Sequence, residues 1–384
     1  MKKQNPSLLA ISSAALLLPS ISATTNASID PKWQLSYQYS QYSEDPMPES
    51  KVVSGSKNRF DVNTHLINVR APLSETNELT VTLLEETLSG ASPWYVQPEG
   101  EELLQVMSGA TIDEKRTEVN LDFHKSRAKS DFHLALGSST ENDYQSFSGG
   151  LSGDYRFLSY LTMDWGLNFS KDYVKAVDTD IYTSRPGEET KTRSGIFVGF
   201  TYAMGKTTLI NISTSYAFIN GFLSDPYKLA LVEGIAVQDS RPDNNQLVTN
   251  KLQIRQFFPS LNAALHVDYR YFISDWVYEN ANTINVAWYQ NIGDNGWMLI
   301  PSVRFYDQSA AYFYQPYYTT TRRDGNYSSD YRLSGFKAFS SQLKLVKRFS
   351  SYTVSISHEM YEATGDHPGL VSYSFSTLNL AKTF

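Results

Sequence analysis

Along most of the chain, apolar and polar residues take turns. The longest such run is 261–273, where Leu261, Ala263, Leu265, Val267, Tyr269, Tyr271 and Ile273 alternate with Asn262, Ala264, His266, Asp268, Arg270 and Phe272. A period of two is that of a β-strand with two unlike faces. One face carries a histidine, an aspartate and an arginine. The other is apolar and ends in two tyrosines, the residue type that collects where hydrocarbon meets water. The same alternation recurs at 33–40, 119–124, 161–170, 196–202, 210–218, 297–305 and 352–360. With weaker runs between them, these predict about sixteen strands, each near the length that a tilted membrane-spanning strand needs. Two stretches blur the pattern. Residues 59–69 predict a strand that hides a bulge. In 371–384, Leu378, Leu380 and Phe384 share a phase that Tyr373 and Phe375 do not, which predicts a bulge near Thr377.

The connections alternate too. Those after even-numbered strands are short, and those after odd-numbered strands are mostly long or intermediate, residues 274–277 being the exception. Short turns at one end and long loops at the other mark a bacterial outer-membrane barrel, and an even count returns both chain ends to one side. A soluble all-β protein has no reason for that parity. The fold class expected is therefore all-β: a transmembrane antiparallel up-and-down β-barrel of about 16 strands.

Composition narrows the alternatives. A mean hydropathy of −0.37 excludes a bundle of membrane helices, and 26 tyrosines suit an apolar-to-wet boundary. A net charge of −7 argues against nucleic acid as a partner. With no cysteine, a disulfide framework, a thiolate metal site and a cysteine nucleophile are excluded. At the N-terminus, Lys2 and Lys3 precede the apolar run Leu8–Leu18, Pro19 and small residues. Residues 1–27 read as a signal peptide, cleaved after Ala23 or Ala27, leaving 28–384 as one barrel domain in the bacterial outer membrane. The terminal Phe384 resembles the end signal read by the outer-membrane assembly machinery. That machinery, outer-membrane lipid and a periplasmic protein are the expected partners.

Candidate chemistry lies on the polar phase. Asp122, His124, Asp131, His133, Asp164, Lys251, Arg255, His266, Asp268, Arg270, Arg304 and Glu359 are expected to line a lumen. There they either select solutes by charge or pair with one another and brace the wall. In the Asp122/His124 and Asp131/His133 hairpin, opposed side chains predict a hydrogen-bonded cluster in preference to a metal site. No Gly-x-Ser-x-Gly elbow or Walker loop is present, and His358-Glu359 lacks the second histidine of a zinc-binding motif. No cofactor, metal or enzymatic activity is expected. His358 shares the phase of Ile356 and Met360, so it is expected on the lipid side, hydrogen-bonded within the interface belt.

Between the third and fourth predicted strands lie Ser89-Gly90-Ala91-Ser92-Pro93 and a second copy, Ser108-Gly109-Ala110-Thr111, followed by Asp113, Lys115 and Arg116. Further on comes Ser139-Thr140-Glu141-Asn142-Asp143-Tyr144. Across nearly the whole mature chain, this resembles the bacterial family known as domain of unknown function 3570. The resemblance implies an outer-membrane β-barrel and carries over no catalytic residue. The paired Ser-Gly-Ala segments are expected either to fold inward as a constriction or to allow close backbone packing on the wall. The leading expectation is a porin-like channel for small polar solutes. The alternatives are a plugged barrel working with a periplasmic partner and, less favoured, a lipid hydrolase.

Overall fold

The structure, a computed structural model, describes residues 29–109, 112–276 and 281–384, and all of their side chains except those of Ile112 and Asp113. The expected signal peptide, with Ala110 and Thr111, lies outside the described residues. Among the described residues, twenty-one strands follow one another. They are β1 (Gln34–Glu44), β2 (Val52–Ser54), β3 (Asp61–Pro72), β4 (Asn77–Gly90), β5 (Pro93–Glu99), β6 (Glu102–Met107) and β7 (Ile112–Arg127). Next come β8 (Ser130–Thr140), β9 (Tyr144–Leu158), β10 (Leu161–Val174), β11 (Glu189–Met204), β12 (Thr208–Gly221), β13 (Leu229–Val232) and β14 (Ile235–Gln238). The last seven are β15 (Asn244–Phe258), β16 (Ala263–Ser274), β17 (Ala281–Ile292), β18 (Trp297–Gln308), β19 (Phe336–Arg348), β20 (Tyr352–Thr364) and β21 (Tyr373–Thr383).

Sixteen of these strands form a closed antiparallel barrel, each beside its neighbours in the chain, with β1 sealing against β21. The other five lie in the long loops: β2, β5 and β6 form one small sheet, and β13 and β14 a hairpin. Closure removes every sheet edge, the condition for strands to cross hydrocarbon without unpaired backbone groups. The alternation then sorts side chains. Leu121, Phe123, Leu134, Leu136, Leu167, Phe169, Ile196, Ile212, Phe305 and Ile356 are exposed on the outer wall. Ser40, Asn211, Gln253, Ser340 and Ser355, on the opposite phase, are buried inside. A soluble protein sorts these the other way.

Local details correct the sequence reading. Residues 261–273 do not form one strand: Pro259–Leu261 is a 3-10 turn, Asn262 is left-handed at φ 47°, and β16 begins at Ala263. The bulge expected within 59–69 is absent, because β3 keeps one register against both β1 and β4. What blurred its alternation is that polar His65 and Asn63 lie on its outer face, bonded to Tyr37 and Tyr39. The bulge near Thr377 is absent as well. Tyr373 is on the inner phase, its ring 4.2 Å from Tyr361 and 4.7 Å from Tyr42, while Lys382 continues the outer row over Phe384. His358 sits midway along β20, not near its ends, with Nδ1 2.9 Å from Ser376 Oγ.

The connections at one end are short turns; those at the other include 45–60, 91–111, 222–243, 309–335 and 365–372. The long loops pack into a cap. Met47, Ala91 and Met107 form one buried apolar cluster, Ala230, Val232 and Tyr318 a second, and Trp276, Ala311 and Phe313 a third.

Candidate functional site

The inner wall carries charge in two unlike sectors. On β7–β10 it is acidic and lies toward the short-turn end. His124 Nε2 is 3.1 Å from Asp131 Oδ1, and His133 Nδ1 is 2.9 Å from Asp122 Oδ1. The two imidazoles stack at 4.3 Å with planes 2° apart. Each histidine thus spends one nitrogen on a cross-strand carboxylate, which makes this a hydrogen-bonded tetrad. Asp154, which sequence reasoning passed over in a Gly- and Ser-rich strand, directly opposes both Asp131 and Asp164 in register. Arg156 lies 3.6 Å from Asp131. Asp164 accepts from Thr201 Oγ1 and Asn211 Nδ2, both at 3.1 Å.

On β15–β20 the wall is basic. Arg255 Nη2 donates to Asp268 Oδ1 at 2.7 Å, and Gln253 Nε2 to the same oxygen at 2.6 Å. The His266 ring lies 4.1 Å from that of Tyr289. Lys251, Arg270, Arg304 and Glu359 each sit seven residues in from the short-turn end of their strands, so they share one level. Glu359 accepts from Gln342 Nε2 at 3.4 Å. Among the described residues, no carboxylate comes within 4.0 Å of the Lys251, Arg270 or Arg304 cation. Arg270 Nη2 has only a hydroxyl, Thr283 Oγ1 at 3.2 Å.

The cap closes over this space. Ser89 and Gly90 belong to β4, Ala91 and Ser92 are buried, Pro93 opens β5, and Ser108 and Gly109 follow β6. The two Ser-Gly-Ala copies meet: Ser92 N donates to Ser108 Oγ at 3.0 Å, and Ser108 N to the Ser92 carbonyl at 2.9 Å. At Gly90, with φ 130°, a Cβ would stand 2.2 Å from the Arg59 carbonyl oxygen, so only glycine fits. Lys228 Nζ ties the β5 start to loop 222–243 by donating to the Pro93 carbonyl at 2.9 Å.

Sequence reasoning missed the centre of the cap, a buried charge cluster. Arg241 Nε reaches Asp239 Oδ2 at 2.7 Å and its Nη2 reaches Asp330 Oδ2 at 2.9 Å. Arg332 pairs with Asp330 and, at 2.8 Å, with Asp225 Oδ2. Burial alone would raise Asp330, yet Arg332, Lys228 and Arg241 hold it well below the usual carboxylate range. These residues come from loops without periodicity, so no pattern in the sequence marks them.

A closed barrel with an apolar exterior and a polar interior is a transmembrane β-barrel, the class the alternation predicted. More narrowly, the chain belongs to the DUF3570 family, described as protein of unknown function, whose sequence profile matches residues 8–377. No curated protein matches it. Among solved structures, a bacterial polysaccharide outer membrane secretin is similar at 10% identity and a TM-score of 0.52, over 93% of this chain and 99% of that one. CdiB from Acinetobacter baumannii is similar at 7% identity and a TM-score of 0.53, over 92% of this chain and 60% of that one. The CymD monoaromatic hydrocarbon channel is similar at 11% identity and a TM-score of 0.46, over 93% and 89%. For the first two, at such identities, the likeness is one of fold alone, that of outer-membrane barrels.

Proposed function

We propose that this protein is a capped channel of the bacterial outer membrane that passes small polar solutes, with a preference for anions. The observation that carries the reading is the level shared by Lys251, Arg270 and Arg304, three cations without a carboxylate partner on one side of a sixteen-strand lumen. A barrel of this size leaves room for water. Unpaired cations of this kind favour anion entry, whereas paired ones only brace the wall. The twelve polar-phase residues are then the lumen lining, with the Asp122–His133 and His124–Asp131 tetrad acting mainly as bracing. Segment 89–111 acts as part of the lid at the mouth and not as a constriction deep inside. In this reading, a signal peptide and the outer-membrane assembly machinery deliver the chain to the membrane.

Reconstitution in a planar bilayer tests the reading. Ion-selective steps with a reversal potential of anion sign are expected, and Lys251→Gln/Arg270→Gln/Arg304→Gln should move that potential toward zero or past it. An unchanged potential would remove the anion preference. The cap favours a second reading, a barrel that conducts only with a periplasmic partner. Silence from the folded intact protein, with conductance after deletion of 91–109, would support it.

A further inference from the structure

Pro301 lies inside β18, a strand paired on both sides within a closed barrel. A proline has no N–H to give the ladder, and interior strands ordinarily exclude it. The fault is visible in the register. β17 and β18 pair from Ala281↔Gln308 to Ala287↔Ser302 and resume unshifted at Gln290↔Leu299, but Trp288–Tyr289 and Ile300–Pro301 between them do not pair. In hydrocarbon, water cannot satisfy the carbonyl such a lapse leaves behind.

Three features converge on this fault. Outside lies a groove of about 630 Å³ lined by Val286, Trp288, Val303, Leu343 and Met360, with His358 at its border. His358 is exposed at mid-strand on the lipid-facing phase. An ionisable side chain at that depth is costly and marks function by default. Inside, Ala287, Ile300 and Val346 form a buried apolar cluster with Tyr289 and Met298. Beside that cluster is an inner cavity of about 270 Å³, lined in part by Arg304, Lys344 and Glu359. Ser302 and Gln342 border both the inner cavity and the outer groove.

We propose that the β17–β18 seam at Pro301 is a lateral binding site for a long-chain carboxylate, its head held inside by Arg304 and Lys344 and its alkyl chain passing through the seam into the outer groove. Two cations against Glu359 leave the inner cavity with surplus positive charge, which a neutral amphiphile would not use. The inner cluster and the outer groove put apolar surface on both sides of the wall at β17 and β18, and the missing rung weakens the seam where the strands must part. This goes beyond conduction along the barrel axis.

The chain has no cysteine, so Gln290→Cys/Leu299→Cys, on the directly opposed pair where the ladder resumes and outside both cavities, makes a removable staple across the seam. The probe is stearate bearing a nitroxide near its chain end, added to phosphatidylcholine vesicles that hold the refolded protein. Electron paramagnetic resonance reads its immobilised fraction. The reduced double variant should bind as the unmodified protein does, and oxidation should weaken binding about tenfold or more. Arg304→Gln/Lys344→Gln should weaken it similarly without oxidation. The methyl ester should show only the boundary-lipid component. An immobilised fraction indifferent to both the staple and the loss of the two cations would overturn the proposal, as would equal binding of acid and ester. The staple leaves Lys251 and Arg270 intact, so a silent bilayer and a missing stearate site are separate failures.

Discussion

Two side chains in the loop region respond to acid in opposite senses. His367 is buried with both nitrogens engaged: Gly369 N donates to Nδ1 at 2.8 Å, and Nε2–H donates to the Ser329 carbonyl at 2.9 Å. Burial pushes its pKa down to about 4. An unfolded histidine titrates near 6.5, so the stability this group contributes is full above about pH 6.5 and is lost as pH falls toward 4. Asp143 runs the other way. Burial and, to a smaller degree, Glu114 push it up to about 7, against the hydrogen bond from Tyr227. Its contribution is present below about pH 4 and is lost as pH rises through 7. Asp143→Asn, which keeps an oxygen for the Tyr227 hydroxyl, should therefore stabilise this region above pH 7 by up to about 4 kcal/mol and do little at pH 4. Hydrogen exchange of loop amides at pH 5 and pH 8 measures this, and equal protection of variant and parent at pH 8 would refute it. The state of neither residue was legible in the sequence, since each owes it to segments far apart in the chain. The shared face of His124 and Asp122 was legible because a period of two forces them to one side whatever else the fold does.

At the scale of the strand, register proved simpler than the sequence suggested. The bulge expected in 59–69 was inferred from a blurred alternation, but polarity near a strand's loop end is where a membrane strand leaves hydrocarbon; the one near Thr377 was inferred from Tyr373 and Phe375, and Tyr373 lies on the inner phase against Tyr42 and Tyr361. Glycine carried information that alternation hides. The inward-facing Phe197 of β11 lies against Gly166 of β10, where a Cβ would stand 2.2 Å from the ring. Gly166→Val should thus destabilise the barrel by about 1–3 kcal/mol through overpacking. Adding Phe197→Ala should recover most of that loss, and urea unfolding in lipid vesicles reads both. If the double variant is no more stable than Gly166→Val alone, the clash is not the cause.

For the whole molecule, the strand count and the parity of the loops could be read in advance because a membrane imposes them on every hairpin alike. The cap could not, because its residues answer only to one another: Asp225, Lys228, Arg241, Asp330 and Arg332 come from two loops separated by four barrel strands. That independence has a consequence for gating. The barrel draws its stability from a ladder closed on itself, and the cap draws its from buried ion pairs and small apolar clusters. The two should fail separately. Asp330 is the shared anion of the cap, paired with Arg241 and Arg332 and 4.0 Å from Lys228. Asp330→Asn leaves three cations crowded without it, a change that costs about 3–5 kcal/mol when a buried pair is broken. The expected result is a looser cap on an intact barrel. Single-channel conductance should rise several-fold, while the heat-dependent shift in gel migration that reports a folded barrel stays as it was. If migration shows a folded barrel and conductance does not change, the cap is not what limits flow, and the level of Lys251, Arg270 and Arg304 becomes the narrowest control on it.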